Sequence, residues 1–489
     1  MRILFVTSEA FPLIKTGGLA DVSGSLPAAL NSLGADVRIL IPGYPAVLEK
    51  LIDLRIIATM DQLPIIGSVK LLMGTMPETG VNVMAIQSPF LYERAGGPYI
   101  NAEGSDWTDN PLRFGILSRV AANLASSSTS PLIDWLPDVV HCNDWQSGLT
   151  PAFIHFHQLA TGMKHAKSIL SIHNLAFQGN YGAEWVANLG LPAESYQIEG
   201  LEYYGQMSFL KAGVYYADHL ATVSPTYGLE IQTPEYGFGM QGLLAKRNRE
   251  IDGILNGIDL TEWNPISDPY LSAHYDAAHL ENKSVVKQAL QQQLGLSSDS
   301  KAPLLGVVSR LTYQKGLDMF LQVAEPLIQQ GCQIALLGSG EKSMENGFKQ
   351  LAMRYPQQVA ATIGYNEPLS HNIMAGADLF IMPSRFEPCG LNQMYGLRYG
   401  TPSVVTRTGG LADSIRDATP TALGDKSATG FVMAAVNADA LLHTIARALT
   451  YFQEPKLWKQ IQQAGMKTEL GWDKSAQAYL NLYKKMLLS

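Results

Sequence analysis

The chain is poor in cysteine, in charge and in long apolar runs. Its 489 residues hold three cysteines, Cys142, Cys332 and Cys389, widely separated and with no CxxC among them. That spacing suggests neither a disulfide framework nor a zinc site, and it fits a reducing compartment. Charged residues make up only 16%. So low a share rules against disorder or a coiled coil and suits parallel sheets covered on both faces. The formal net charge of −8 is a poor footprint for nucleic acid, which calls for clustered basic surface. No apolar run reaches the ~18 residues of a membrane span. The opening MRILFVTSEAF is too short for a signal peptide and reads as a first strand. Two nucleotide signatures are also missing. G-x-G-x-x-G does not follow the first strand, which counts against a nicotinamide-dependent oxidoreductase, and GxxxxGK[ST] is absent.

What is present is length and alternation. The chain exceeds what one hydrophobic core usually supports, so two or three domains are expected. MRILFVTS (1–8) reads as a buried strand, a helix follows near 21–33, and DVRILI (36–41) is the next strand. VNVMAI (81–86), PDVVHC (137–142), KSILSIH (167–173) and HLATVS (219–224) continue the series. A second series comprises APLLGVVSR (302–310), QIALLG (333–338), VAATIG (359–364), ADLFIMPS (377–384) and PSVVTR (402–407). Strands alternating with helices predict an α/β protein of two Rossmann-like domains meeting across a cleft. ILNGIDLTEWNP (254–265) is the expected crossover.

One heptapeptide occurs almost twice, as KTGGLAD (15–21) and RTGGLAD (407–413). The first lies between a strand and a helix, at the edge where ligands bind in such folds. Gly17 and Gly18 let backbone amides approach an anion, Lys15 supplies a mobile charge, and Asp21 falls in the first helical turn. A phosphate is the natural guest, although a plain tight turn would explain the glycines alone. Arg310 and Lys315, in VVSRLTYQKGLD (307–318), could grip a diphosphate, with two solvated surface cations as the plainer reading. In PSRFEPCGLNQMYGLRYG (383–400), Glu387 stands at the carboxyl end of a strand, where packing gains little from a carboxylate. It could accept from sugar hydroxyls or face developing positive charge, or be a helix N-terminal glutamate that satisfies local amides. Cys389 has no evident base beside it and reads as a small residue of a tight loop. HCNDW (141–145) and SIHNLAFQG (171–179) place Asp144 and His173 just beyond two strands. No H-x-H or HExxH spacing supports a metal there.

Together these motifs resemble the bacterial glycogen synthases, retaining GT-B glucosyltransferases that share their fold with plant starch synthases. The markers are KTGGLADV, GGPYINAEGSDWTDNPLRF (96–114), HCNDW, HNLAFQG, GILNGIDLTEWNP (253–265), SRLTYQKGLD, SRFEPCGLNQMYGLRYG and RTGGLAD, in the family's order along nearly the whole chain. The resemblance implies glucose transfer from ADP-glucose to the non-reducing end of an α-1,4-glucan, with retention and without a metal or other cofactor. It implies domains at 1–255 and 256–470, with 471–489 returning to the first domain, and a cytoplasmic location. Lys15, Arg310 and Lys315 match the family's phosphate-binding cations, and Gly17 and Gly18 its phosphate loop. Glu387 matches the active-site carboxylate, with Cys389 and Gly390 beside it. Asp144, His173 and Asn256 match residues around glucose and acceptor, and Tyr365 the position that holds the base. Three positions depart from common patterns. Tyr395 stands where related families carry a second Glu, Asn392 where many have Thr, and Asn143 where many have His. A sucrose- or trehalose-type synthase using UDP-glucose and an inactive glucan-binding protein are the competing readings. Oligomeric state is left open.

Overall fold

A computed structural model describes residues 1–488. They form two compact units: Met1–Gly257 with the chain from Trp472 onward, and Ile258–Gly471.

The first unit is built on a nine-stranded sheet. Its strands are β1 (Arg2–Val6), β2 (Asp36–Pro42), β3 (Ile52–Leu63), β4 (Gly67–Thr75), β5 (Asn82–Gln87), β6 (Val139–Asn143) and β7 (Lys167–Ile172). A small separate sheet of β8 (Asn180–Tyr181), β9 (Glu202–Tyr203) and β10 (Gln206–Ser208) intervenes before β11 (His219–Thr222) and β12 (Ile251–Gly253). The order is β12-β11-β7-β6-β1-β2-β5-β4-β3. Pairing is parallel from β12 to β5, and β4 and β3 add antiparallel. The central strands are apolar runs because both faces are covered: Ile3, Leu4, Phe5 and Val6 are all fully buried. β3 is an edge strand with most residues partly or fully exposed, so it carries no such run and the strand reading above passes over it.

The second unit has a six-stranded parallel sheet of β13 (Leu304–Val308), β14 (Gln333–Gly338), β15 (Val359–Ile363), β16 (Leu379–Met382), β17 (Ser403–Val405) and β18 (Gly430–Val432). Its order is β15-β14-β13-β16-β17-β18. The helix Leu317–Gln329 buries Phe320, Val323, Ala324, Leu327 and Ile328 at three- and four-residue spacing, in one core with Leu305, Val307 and Ile334 of the sheet.

Both sheets reverse direction once, and that reversal positions the chemistry. In the first unit β1 connects outward to β2, while its other neighbour β6 connects outward to β7 on the opposite side. In the second the connections part at β13 and β16. Loops leaving neighbouring strands in opposite senses open a crevice at their carboxyl ends. The final helix, Trp472–Leu488, packs in the first unit. Ser475 Oγ donates to Leu255 O at 2.5 Å, and the Tyr483 hydroxyl pairs with His141 Nδ1 at 2.7 Å. Among the described residues no helix is long and apolar enough to cross a membrane.

Candidate active site

In the second unit the loops after β13 and β16 lock together. The chain leaves β13 through the turn Tyr313–Lys315 and enters its helix at Gly316. Gly316 has φ +68°, and a Cβ there would meet Pro383 O at 2.0 Å. Only glycine permits this approach. Lys315 Nζ thereby reaches Glu387 Oε2 at 2.5 Å, and Ser384 Oγ donates to the same oxygen at 2.9 Å. The two charged side chains are 16% and 7% exposed, so the pair is largely desolvated and depends on its geometry. That geometry is braced. Arg385 forks onto Asp318 at 2.7 and 2.8 Å and stacks on Tyr313 at 3.6 Å, and Asn392 Nδ2 donates to Val308 O at 2.7 Å. Gly390, at φ +69°, turns the chain, and Gln393 Nε2 donates to the carbonyls of Cys389 and Gly390 at 3.0 and 2.9 Å. Cys389 is buried in this loop. Arg310 is exposed at the end of β13, and its guanidinium makes no ion pair among the described residues. Tyr365, beyond β15, is 77% exposed, and its hydroxyl donates to the Glu367 carboxylate. Tyr395 is buried instead, stacked on Trp263 at 3.7 Å.

The second heptapeptide shapes this loop from beneath. Its Gly409 has φ +40°, and a Cβ there would meet Glu387 O at 2.0 Å. A Cβ on Gly410 would meet Cys389 O at 2.0 Å, and the Gly410 amide donates to Glu387 O at 3.1 Å. Arg407 stands exposed at that corner.

In the first unit Lys15, Gly17, Gly18 and Asp21 follow β1, Asp144 follows β6, His173 follows β7 and Asn256 follows β12. All sit at the carboxyl ends of parallel strands. The organiser of the glycine loop is a residue the sequence motifs do not single out. Glu9, 3% exposed, accepts from the Thr16 amide at 2.6 Å, the Thr16 hydroxyl at 2.7 Å and the Gly17 amide at 3.1 Å. The Gly17 amide thus turns inward to a carboxylate. Gly18 opens the helix, so its N–H is among the first-turn donors that have no acceptor within the helix. Lys15 Nζ lies 2.8 Å from Asp21 Oδ1. The other Glu9 oxygen accepts from the Tyr99 hydroxyl at 2.6 Å. Arg113, 2% exposed, holds the Tyr99 loop by donating to Leu91 O, Pro98 O and Asn110 Oδ1. The long motif 96–114 therefore supports the first glycine loop through Tyr99 and Glu9. Its signal was there, a dense run of Gly, Tyr, Asn and Asp, but its target was not. The same stretch borders a cavity of about 660 Å³ lined by Tyr44, Tyr92, Arg94, Gly97, Trp107 and Arg113.

Asp144 is a non-glycine residue at φ +56°, a strained conformation that often marks a functional site. Its carboxylate accepts from the amides of His173 at 2.8 Å and Asn174 at 3.4 Å. Burial outweighs these bonds and pushes its pKa up to about 7, with Glu9 adding to the rise. Burial lowers His173 to about 4, and its Nε2 lies 3.0 Å from Asn143 Oδ1. Asn256 is also buried, with its Oδ1 lacking a hydrogen-bond partner. Cys142, Asp144 and His173 do not gather into a metal-binding group among the described residues.

The sign of the Asp144 shift gives a test. A carboxyl raised from 3.8 to about 7 on folding binds more protons folded than unfolded, so its contribution to stability falls as pH rises through that window. Asp144→Asn removes the term while keeping an acceptor oxygen. The variant's thermal stability relative to the parent is expected to climb from pH ~4 to ~7 and then level, by an amount on the order of 4 kcal/mol at most. A pH-independent difference in melting temperature would contradict this origin. Measuring the difference cancels the opposite contribution of His173, which is lost as pH falls from 6.5 to about 4.

Two Rossmann-like units, each presenting its polar residues at a sheet's switch point, define a GT-B glycosyltransferase. Residues 2–246 match the starch synthase catalytic domain, and residues 289–467 match glycosyl transferases group 1. The chain is 52% identical to the glycogen synthase of Nitrosomonas eutropha, covering 100% of this chain and 96% of that one. It is 46% identical to glycogen synthase 1 of Methylococcus capsulatus, covering 100% and 97%. Among solved structures, the catalytic domain of starch synthase IV from Arabidopsis thaliana, bound to ADP and acarbose, superposes with a TM-score of 0.89 at 30% identity, covering 100% and 99%. A sucrose-phosphate synthase from Thermosynechococcus elongatus shares the fold, with a TM-score of 0.58 at 15% identity over 100% and 99%. The chain belongs to the glycogen synthase family.

Proposed function

We propose that this glycosyltransferase moves glucose from ADP-glucose to the non-reducing end of an α-1,4-glucan with retention of configuration. The observation that carries the reading is the largely desolvated Lys315–Glu387 pair at the switch point of the second sheet. Departure of a nucleoside diphosphate builds negative charge on phosphate and positive charge on the sugar. Fixed cations favour the first, and a carboxylate beside them favours the second. In this assignment Lys315 and Arg310 meet the diphosphate, Glu387 faces the glucose, and Gly390 and Cys389 shape the sugar pocket. Tyr365 offers a face for the base. In the first unit Lys15, Gly18 and the helix start form a further anion corner, held by Gly17, Asp21 and Glu9. Asp144, His173 and Asn256 serve glucose and acceptor, and the aromatic cavity beside Trp107 suits a glucan chain. The transfer itself is assigned no metal or other cofactor. A hydrolase would more often flank the bond with two cooperating carboxylates. The related starch synthase, solved with ADP and acarbose, supports both the nucleotide and the glucan. Three free cysteines accord with a cytoplasmic location.

The test is incorporation of labelled glucose into glycogen from ADP-glucose and from UDP-glucose in parallel. Transfer from ADP-glucose with little from UDP-glucose is expected. Preference for UDP-glucose would overturn the donor assignment, and failure with both would overturn the reaction.

A further inference from the structure

Apart from the residues assigned to glucosyl transfer, three ligand-capable side chains converge in the second unit. Glu367 and His371 lie one turn apart on the helix Glu367–Gly376, and Glu262 approaches from the segment that opens this unit. One ligand atom of each lies within 4.8 Å of the others. His371 is 1% exposed. Its Nδ1 is 2.7 Å from Asp268 Oδ2, while its buried Nε2 has no hydrogen-bond partner and lies 3.4 Å from Glu367 Oε1. A histidine that ligates a metal is typically oriented in this way, by a carboxylate on its other nitrogen. The ring cannot easily turn. Trp263 stacks on it at 3.9 Å, Tyr270 meets its edge at 5.0 Å, and Asp268 is itself held by the Tyr399 hydroxyl at 2.5 Å.

The spacing separates two readings. A charge-assisted hydrogen bond from Nε2 to a carboxylate would run at about 2.7–2.9 Å. Two ligand atoms on one tetrahedral ion, each bonded at about 2.0–2.2 Å, stand roughly 3.4 Å apart. The geometry points to the second: we propose that Glu262, Glu367 and His371 bind one divalent transition-metal ion of the zinc type, with Asp268 orienting His371. One imidazole nitrogen and two carboxylate oxygens suit such an ion better than magnesium or calcium, which favour all-oxygen sites. Glu367 also accepts from the Tyr365 hydroxyl, but none of the three ligands is itself assigned to the transfer. Without the ion, burial opposes a charge on His371, but Asp268 and Glu367 outweigh burial and raise the pKa to about 9.

Calorimetric titration of the chelator-treated full-length protein with Zn²⁺ tests this. One ion per chain is expected. Glu262→Gln and Glu367→Gln, both at partly exposed positions, should each weaken binding at least about tenfold, and Asp268→Asn about 10–100-fold. The melting temperature of each metal-free variant checks its folding. His157→Ala, which breaks the surface His157–His165 pair, should leave Zn²⁺ binding unchanged. Absence of saturable binding would overturn the proposal. So would affinity unmoved by both glutamate variants, or binding lost in His157→Ala.

Discussion

Lys315→Ala is expected to lower kcat by about 10²–10³-fold, the usual cost of removing one preorganised group that meets transition-state charge. The measurement is turnover at saturating ADP-glucose and glycogen. The variant also leaves Glu387 buried with Ser384 as its remaining side-chain partner in the loop, so some stability will be lost. Stability and catalysis are separable with neutral isosteres. Lys315→Met combined with Glu387→Gln removes both charges of the pair and should recover much of the lost melting temperature while turnover stays low. Near-parental turnover in Lys315→Ala would remove this lysine from the mechanism. Recovery of turnover in the double variant would make the pair structural only.

The second large effect falls on the repeated heptapeptide. Gly409→Ala should cost several kcal/mol of stability and lower kcat by about 10²-fold, because a displacement near 1 Å at a reacting group costs about that much. The added Cβ would lie 2.0 Å from Glu387 O, a backbone atom that cannot rotate away, and φ is +40°. Its counterpart in the first copy is Gly17. There a Cβ would meet nothing within 4 Å, and φ is −153°. Gly17→Ala should therefore change stability by no more than about 0.5 kcal/mol. Equal melting temperatures for the two variants would show that the glycine corners are equivalent, contrary to the packing seen here.

The contrast between these glycines marks the boundary between local and tertiary information. Apart from the short β12 before Asn256, the strands that carry site residues were legible because parallel strands covered on both faces become apolar runs, as in ILFV of β1 and QIALLG of β14. β3, the short β12 and β18, and the small sheet of β8 to β10 lack such runs. Lys315 and Glu387 could each be suspected from their place after a strand. Their contact could not, since 72 residues separate them and β13 and β16 meet only through the strand order.

Glu9 shows the same limit. In sequence it is a single carboxylate after the first strand. In the fold it gathers two amides and two hydroxyls, one of them from Tyr99, 90 residues away. The sequence by itself determined the two-domain α/β class, the motif set and so the family, because periodicity and motif order are properties of the chain. The tertiary structure alone decided which charge is paired, which glycine is indispensable and which histidine nitrogen is left facing two glutamates. Those depend on approaches of a few ångströms between segments far apart in sequence, set by strand order and side-chain packing.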